Sequence, residues 1–445
     1  MLENLFKIHE RKSTIGREIS GGVTTFLTMC YIIFVQPALL SAAGMDRGAV
    51  MVATCVSAGL ATILMGILAN YPIALAPAMG HNAFFAFVAC GTVASGGFGL
   101  TWQQALGANF VSGALFLILS FFGFRAKIMR IVPPGLRLAI AAGIGLLITL
   151  LGLQWAGIVV DNPAVYVGIG DLTQPACLVS IFGLALASVL IVMNVPGALL
   201  IGILATTAVG IFAGMAEFQG VLSAPPSLKP TFLQLDIKGV FTLEAALAVI
   251  FTFFFLDLFD TIGTLIGVGE RGGFLKEGQL PKANRALLTD AIGTVSGTLM
   301  GTSTVTSYVE STTGITAGAR TGLASIVTGL LFFLALFFSP LVEVIGGAVL
   351  VGDVALHPFI APVLILVGVY MIRCVKNIEW DDLTEAIPAF LTMSVMAFTI
   401  NITEGIAFGF ISYVLLKIAT GRLREIHWIL HLCAAAFILR YIFLT

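Results

Sequence analysis

The chain has 445 residues, of which 58% are hydrophobic and 10% are charged, with a formal net charge of −1. Soluble domains carry about 25% charged residues, so this composition excludes an ordinary soluble globular protein. Lysine and arginine occur in short clusters between apolar runs, which excludes the basic surface that nucleic acid requires. Apolar stretches of membrane-spanning length, roughly 20 residues, follow one another from Gly21 to Leu416. The composition therefore predicts a polytopic membrane protein with helical spans.

The N-terminal segment and the cysteines add two expectations. The segment "MLENLFKIHERKSTIGREISGG" contains charges but no cleavage site after a short apolar core, so we expect no secretory signal to be removed. The six cysteines are scattered without the spacing of metal ligands, and most of them lie in apolar runs. We expect them to be small buried residues, and we predict neither a metal nor a cofactor.

Positively charged residues predict the orientation of the chain. They form five clusters, at Lys7–Arg17, Arg125–Arg137, Arg271–Arg285, Arg373–Lys376 and Lys417–Arg424. Cytoplasmic loops are enriched in lysine and arginine, so all five clusters and both termini are predicted to lie in the cytoplasm. The loops around 155–175 and 216–240 contain fewer of these residues and are predicted to face outward. An even number of spans must then separate consecutive clusters.

The apolar runs can be counted against this rule. Four lie between the first two clusters, at about 20–43, 48–69, 74–93 and 103–123. Four more precede Arg271 if the run at 175–215 is broken at Asn194–Gly197, and the last of these is at 241–266. Between Arg285 and Arg373 only three are evident, at 287–301, 321–341 and 346–371. The count becomes even if residues 302–320 also cross the membrane. The alternative, a loop at 302–320, requires one of the other runs to be re-entrant.

The stretch "TSTVTSYVESTTG" at 302–314 is unusual for a span, because eight of its thirteen residues are serine or threonine and Glu310 lies among them. Counting it gives fourteen spans, with a further apolar helix at 426–444 expected along the membrane surface. Fourteen spans divide into two sevens, 18–215 and 240–420, and a repeated odd-numbered unit must have inverted topology. Inverted repeats are typical of transporters, whose substrates bind where discontinuous helices meet near the midplane.

An irregular third span in the first half supports this division. The segment "YPIALAPAMGHNAFFAF" at 71–87 contains two prolines and a glycine, so it is a poor continuous helix. If residues 302–320 are the third span of the second half, the two irregular segments occupy corresponding positions. The sequence therefore predicts a transporter with two discontinuous spans at its centre.

Three carboxylates are the candidate ionisable groups inside the spans. Asp257 and Asp260, three residues apart in "FFFLDLFDTIGT", occupy neighbouring positions on one helix face. An ionisable group inside a span is costly unless it is paired or hydrated, which makes it a candidate functional residue. The alternative is a pair of aspartates at the cytoplasmic end of a helix. Glu310 could accept N–H donors from a planar heterocycle and carry a proton, or it could only cap the helix that begins there.

The third and first spans contain weaker candidates. Asn82 offers an amide that donates and accepts hydrogen bonds, and Phe84 and Phe85 offer rings for stacking. His81 and Asn82 point in different directions on a helix, so we expect only one of them to line a cavity, and we favour Asn82. His81 is then a packed or hydrated residue. Thr28 belongs to a polar stripe on the first span, for which hydrogen bonding within the core is the usual explanation.

Several enzyme signatures are missing or out of context. "GVGERG" at 267–272 matches G-x-G-x-x-G, but it ends a membrane helix and follows no strand, so it is a chance match. The chain contains no G-x-x-x-x-G-K-[ST] phosphate-binding loop, which argues against ATP hydrolysis. The paired motifs of intramembrane aspartyl proteases are absent, because Leu350 occupies the position of the first glycine in G-x-G-D.

Longer runs of the chain resemble a known family. They are "GVTTFLTMCYIIFVQPALLS" in the first span, "ALAPAMGHNAFFAF" in the third, "DLFDTIGTLIGV" in the eighth, "GTSTVTSYVESTTGITAGARTGL" in the tenth, and "TEAIPAFLT" and "GIAFGFISYVLLK" near the end. These runs resemble the AzgA-like purine permeases of the nucleobase–cation (nucleobase–ascorbate) symporter family. Two departures occur: Gln36 precedes a proline where the family usually has asparagine, and Ala78 replaces a glycine near the unusual His81.

The resemblance implies an all-α fold of fourteen transmembrane segments in two inverted seven-span repeats, with short strands in discontinuous spans 3 and 10. It implies a cytoplasmic N-terminus (1–17), core spans 1–4 (18–124), gate spans 5–7 (134–215), core spans 8–11 (240–341), gate spans 12–14 (345–420) and a C-terminal helix (421–445). Permeases of this superfamily often pair through their gate domains, so the resemblance implies a homodimer in the cell (inner) membrane.

The resemblance also implies import of purine nucleobases by proton symport, with alternating access of the elevator type. It assigns substrate binding to Asp260, Glu310, Asn82, Asp257, Phe84, Thr264 and Thr28, and proton coupling to Glu310 and Asp260. Adenine, guanine and hypoxanthine all stay open as the preferred base. Two other classes remain as alternatives: an intramembrane enzyme, and a channel or anion transporter on the same scaffold, which predicts a basic residue facing the half-helix ends.

Overall fold

The structure, a computed structural model, describes residues 2–93, 97–121, 132–242, 246–275, 280–352 and 354–443. Parts of the sequence predictions lie outside the described residues: Arg125, Lys127, Arg130 and Lys276 of the basic clusters, residues 94–96 and 122–124 of the predicted core, residues 243–245 near the eighth span, and residues 444–445 of the C-terminal helix.

Helices predominate in the first half of the chain. They are α1 (Leu2–Phe6), α2 (Ile15–Met29), α3 (Ile32–Ser41), α4 (Arg47–Leu64), α5 (Met79–Ala83), α6 (Trp102–Phe121), α7 (Pro134–Trp155), α8 (Pro175–Val192) and α9 (Ala198–Phe212). π-helical turns at Met65–Ala69 and Phe84–Ala89 extend α4 and α5. The short strands of this half are β1 (Leu75–Pro77), β2 (Val159–Asn162) and β3 (Tyr166–Ile169).

The second half repeats this pattern. Its helices are α10 (Ile237–Val240), α11 (Ala246–Arg271), α12 (Ala283–Met300), α13 (Ser311–Thr316), α14 (Gly322–Ala335), α15 (Ser339–Gly346), α16 (Ala361–Ile372), α17 (Leu383–Thr399), α18 (Ile402–Ala419) and α19 (Trp428–Phe443). Its strands are β4 (Val305–Ser307), β5 (Val349–Val351) and β6 (Val354–Leu356), and 3₁₀ turns occur at Leu336–Phe338, Arg373–Asn377 and Leu423–Glu425.

The helices confirm a polytopic membrane protein. In the described ranges, eight helical segments are long and apolar enough to cross a membrane, and three shorter apolar helices are Ala198–Phe212, Leu383–Thr399 and Trp428–Ile442. The predicted break at Asn194–Gly197 is confirmed, because α8 ends at Val192 and Gly197 has φ +75° before α9. Apart from the run at 346–371, the remaining predicted spans correspond to the other helices and to the two segments that contain β1 and β4.

The two irregular spans meet through a pair of strands. β1 and β4 run antiparallel, with Leu75 opposite Ser307, Ala76 opposite Thr306 and Pro77 opposite Val305. α5 follows β1 and α13 follows β4, so each segment is a short strand that leads into a short helix. Such equivalent elements with opposite directions are expected of inverted repeats. Residues 302–320 are therefore a discontinuous span, and the loop alternative is wrong.

A strand pair inside a membrane needs partners for the outer edges of both strands, because lipid offers none. The neighbouring span supplies these partners in each half of the chain. On α4, the Thr62 hydroxyl donates to the Leu75 carbonyl of β1 at 3.0 Å and accepts from the N–H of the same residue at 2.9 Å. On α12, the Thr294 hydroxyl donates to the Val305 carbonyl of β4 at 3.1 Å. The same arrangement in spans 2 and 9 further supports the inverted repeat.

The first predicted span is present at Ile15–Ser41. It is interrupted, since α2 ends at Met29 and α3 begins at Ile32. Thr28 donates to the carbonyls of Thr24 and Thr25, and such back-bonding bends helices. The single run predicted at 346–371 is wrong, because the β5–β6 hairpin interrupts it and α16 begins only at Ala361. A second hairpin, β2–β3, occupies part of the predicted outward loop at 155–175.

The helix predicted along the membrane surface is present as α19, and its position relative to the membrane stays a prediction. α19 packs against α18, and Arg440 near its end forms an ion pair with Glu404 at the beginning of α18. Glu404 therefore lies at the end of a span and has a partner from the C-terminal helix.

The chain divides into two compact units. One consists of Met1–Phe122 and Leu153–Val363, and it contains the β1–β4 pair and the helices around it. The other consists of Gly123–Gly152 and Leu364–Thr445, and it contains α17, α18 and α19. The division into core and gate domains stays a prediction.

The N-terminal segment is tied to both irregular spans at one end of the first unit. Phe6 and Ile8 are each 2% exposed and form a small cluster with Leu323. The Arg11 guanidinium donates to the carbonyls of Asn70 and Arg320 at 2.9 and 3.0 Å. Asn70 shortly precedes β1, and Arg320 follows α13, so one side chain joins the beginning of the third span to the end of the tenth.

We therefore expect Arg11→Ala to lower the midpoint of thermal unfolding in detergent by about 3 °C. The reason is the loss of two charge-assisted hydrogen bonds to backbone carbonyls. Arg424→Ala is the matched control, because Arg424 is exposed. Equal midpoints for the two variants would contradict this role of Arg11.

Candidate functional site

Asp260 lies beside the central strand β4. The carboxylate is on α11, fourteen residues after Ala246, and is partly exposed. The Thr306 hydroxyl of β4 donates to Asp260 Oδ2 at 3.1 Å. α11 also contacts α13, the helix that begins after Glu310. The eighth and tenth spans thus meet at a partly exposed carboxylate.

Glu310 lies at the first turn of α13. It is partly exposed, and the Tyr31 hydroxyl from the first span donates to its Oε1 at 2.6 Å. Its side chain makes no capping hydrogen bond to the N–H groups of α13. The interpretation of Glu310 as only a helix cap is therefore wrong. One oxygen is oriented by Tyr31, and the partly exposed carboxylate can accept donors from a ligand.

Tyr308 fixes the backbone between Thr306, the partner of Asp260, and Glu310. Its hydroxyl donates to the Pro77 carbonyl of β1 at 2.5 Å, and its side chain is 6% exposed. Thr306 lies in β4 and Tyr308 directly follows this strand, two residues later, and in extended backbone side chains two residues apart point to the same face. Tyr308 thus joins β1 to the segment between Thr306, the partner of Asp260, and Glu310.

Asn82 lies in a buried cluster of amides and hydroxyls. It is 0% exposed, and its Oδ1 accepts a hydrogen bond from the Ser303 hydroxyl. Gln36 of α3 donates to Ser303 Oγ at 3.2 Å and to Thr302 Oγ1 at 2.9 Å. Asn82 is thus in contact with the beginning of the tenth span, while Asp260 is in contact with β4.

The aromatic and imidazole groups of the third span are also buried. Phe84 is 0% exposed, and its ring meets that of Phe253 edge to face at 4.8 Å. Phe85 packs near the same ring at 6.4 Å. His81 is 2% exposed. The assignment of Phe84 to the substrate stays a prediction, because its ring packs against α11.

Asp257 and Asp260 have different surroundings. Asp257 is 1% exposed, and the Thr261 hydroxyl lies 3.4 Å from its Oδ1 and 2.7 Å from Asp290 Oδ2. Asp290, on α12, is 0% exposed and accepts the Ser307 N–H at 3.0 Å. Asp257 therefore belongs to a buried network behind β4, whereas Asp260 is partly exposed.

Comparison with known proteins identifies the class of the molecule. The family model described as "Permease family" matches residues 16–439. The chain belongs to this permease family. The family resemblance inferred from the sequence is therefore confirmed, and the enzyme alternative is excluded.

Two curated relatives match almost their whole length. The adenine permease AdeP of Escherichia coli (strain K12) is 44% identical over 445 residues, covering 100% of this chain and 96% of the relative. The guanine/hypoxanthine permease PbuG of Bacillus subtilis (strain 168) is 44% identical over 455 residues, covering 100% of both chains. The permease is thus similar to proteins named for different purines.

A solved structure shares the fold. The transmembrane domain of the cyanobacterial bicarbonate transporter BicA superposes with a TM-score of 0.64 at 16% identity, covering 88% of this chain and 97% of the other. At this identity the similarity supports the fold alone. The all-α fold with inverted repeats is confirmed for the permease.

Thr28 and Thr264, the two threonines of the predicted site, are both partly exposed but differ in their contacts. Thr28 of the permease is partly exposed, and its hydroxyl lies 2.9 Å from that of Thr313 on α13, besides bonding back within α2. Thr264 is partly exposed and lies one turn beyond Asp260 on α11. Both stay predictions for substrate binding.

Sequence reasoning did not assign Asp290, Tyr31 or Gln36 to the site of the permease. Asp290 is a single carboxylate in the apolar run "LLTDAIGTV", and the cost of an ionisable group inside a span could have identified it. Tyr31 and Gln36 carried no such signal, since their partners Glu310 and Ser303 lie far away in the sequence.

Proposed function

We propose that the permease imports purine nucleobases as a secondary active transporter. The observation that carries this proposal is the presence of two partly exposed carboxylates at the tenth span, Asp260, which accepts a hydrogen bond from Thr306 of β4, and Glu310, which accepts one from Tyr31. A purine base is neutral, planar and rich in N–H donors, so carboxylate acceptors at the membrane centre match its edge. The names of the relatives, an adenine permease and a guanine/hypoxanthine permease, support the substrate class.

Proton symport is the coupling that this site supports best. An ionised carboxylate is costly at the centre of a bilayer, and binding a proton removes that cost. Glu310 and Asp260 can each accept hydrogen bonds from the base and can each take up a proton. Alternating access, with the β1–β4 pair and its carboxylates moving as an elevator, would expose this site to either side of the membrane. We place the permease in the inner (cell) membrane as a homodimer, with the N-terminus in the cytoplasm.

The anion-transport alternative has less support. It requires a basic residue at the half-helix ends, and Arg320 is the first arginine or lysine after β4. Arg320 Nη1 donates to the carbonyls of Ile315 and Ala319 at 2.7 Å each. The guanidinium thus provides hydrogen bonds for backbone carbonyls at and just after the C-terminal end of α13. The two carboxylates beside β4 would also repel an anion.

Uptake of labelled bases tests the proposal. Cells that lack their own nucleobase permeases are to be supplied with adenine, guanine, hypoxanthine and uracil, with and without a protonophore. We expect accumulation of at least one purine, little uptake of uracil, and a loss of purine accumulation when the protonophore is present. Accumulation that persists with the protonophore would contradict proton symport, and a preference for uracil would contradict the purine assignment.

A further inference from the structure

The C-terminal helix α19 is attached to α18 by an ion pair at each end. At the end of α18, Lys417 Nζ lies 2.8 Å from Glu425 Oε2, just before α19 begins. At the beginning of α18, Glu404 Oε1 lies 2.7 Å from Arg440 Nη2, near the end of α19. The Tyr441 hydroxyl donates to the other oxygen of Glu404. The two helices are therefore antiparallel neighbours.

Ring contacts between the two ion pairs show the same register. Phe410 of α18 and Phe437 of α19 lie 6.2 Å apart, and Phe408 and Tyr441 lie 6.3 Å apart. Residue numbers rise along one helix as they fall along the other. α19 thus follows α18 from Lys417 to Glu404, a distance of about 20 Å at about 1.5 Å per residue. This is about two thirds of the hydrocarbon thickness of a bilayer, roughly 30 Å.

The chemistry of α19 fits a position across the bilayer. Arg440 and Glu404 are partly buried, with side-chain exposures of 20% and 19%, and their pairing removes the cost of two separate charges at membrane depth. Leu432, Leu439 and Ile442 are exposed apolar side chains on α19, as expected of a helix that faces lipid. Trp428 and Tyr441 lie near the two ends of α19, where aromatic residues favour the membrane interfaces.

We infer that α19 crosses the membrane as a fifteenth segment, and that its end lies on the side opposite to the Lys417–Arg424 cluster. If the positively charged cluster is cytoplasmic, the C-terminal end faces outward, unlike the sequence prediction for both termini. An arginine at the outward end of α19 is compatible with the charge rule because Glu404 neutralises it. The inference depends on α18 crossing the membrane and is independent of the transported substrate.

Protease accessibility of epitope tags tests this topology in the full-length protein. One variant carries the tag after Thr445, and the matched control carries the same tag at Gly421, an exposed turn position with φ +72° and open space around it. In intact spheroplasts, we expect added protease to remove the tag after Thr445 and to leave the tag at Gly421 until detergent is added. Protection of both tags, or cleavage of both, would overturn the inference.

A second measurement addresses the ion pair that holds α19 in place. Glu404→Gln and Arg440→Gln each leave one charge without its partner, so each should lower the thermal midpoint in detergent. The double variant should lose less than the sum of the two single losses, because no separated charge remains. A double variant with the full sum of both losses would contradict an ion pair that retains α19 against α18.

Discussion

Glu310→Gln should lower purine uptake from limiting concentrations by about 100-fold, equivalent to about 2.8 kcal/mol at about 1.4 kcal/mol per tenfold change. Glutamine has nearly the same shape and can still accept the hydrogen bond from Tyr31. It carries no charge for the N–H groups of the base and cannot take up a proton. The measurement is the initial uptake rate of the transported purine, normalised to the amount of folded permease in the membrane.

Two further variants make the Glu310 result specific. Glu217→Gln removes a carboxylate from an exposed position far from β4 in sequence, so its uptake should equal that of the unmodified protein. Glu310→Asp retains the charge but withdraws it from Tyr31 by one methylene. Its purine uptake rate should therefore lie between the rates of Glu310→Gln and Glu217→Gln. A Glu310→Gln rate within threefold of the unmodified rate would remove Glu310 from the site.

Asp260→Asn is expected to raise the KM for the purine by about 30-fold, equivalent to about 2 kcal/mol. This loss is within the range of about 1.5–3 kcal/mol for a hydrogen bond to a charged group. The amide oxygen of the new side chain can still accept the hydrogen bond from Thr306, so the yield of folded protein should change little. Uptake measured over a range of base concentrations separates KM from the maximal rate.

The control for this variant is Asp161→Asn, because Asp161 is exposed on the β2–β3 hairpin. It should retain the KM of the unmodified permease. An unchanged KM for Asp260→Asn, with reduced folded protein instead, would show that Asp260 supports β4 without binding the base.

The central pair of irregular spans was predictable because its signals are local. Pro72, Pro77 and Gly80 disfavour a continuous helix in the third span, and the run of hydroxyl-bearing residues does so in the tenth. The charge rule then favoured a crossing of the membrane by the tenth segment over a loop. These constraints act within each segment, so they can be recognised in the sequence of a segment without knowledge of the spans that pack against it.

The surroundings of the carboxylates were not predictable in the same way. Asp257 and Asp260 have the same chemistry and nearly the same position, yet only Asp260 is partly exposed beside Thr306. Their difference arises from the direction in which α11 faces β4 and α12. The sequence predicts a common helix face, and the packing of that face decides which aspartate is accessible.

The C-terminal helix shows a second limit of prediction from the sequence. Its apolar composition is equally compatible with a surface helix and with a short crossing. Our inference of a crossing relies on the pairing of Glu404 with Arg440, 36 positions later in the chain. No local pattern predicts that pairing, because it depends on α18 and α19 being antiparallel neighbours.

The sequence by itself determined the membrane class, the inverted repeat, the two discontinuous spans and the presence of Glu310 in one of them. The bilayer imposes strict rules on length, charge and backbone hydrogen bonding, and these rules leave marks within each segment. Only the tertiary structure decided that Tyr31 orients Glu310 and that Ser303 bonds to Asn82, across separations of 279 and 221 positions. Such contacts depend on how buried polar groups from distant spans satisfy one another, and that is a property of the packed molecule.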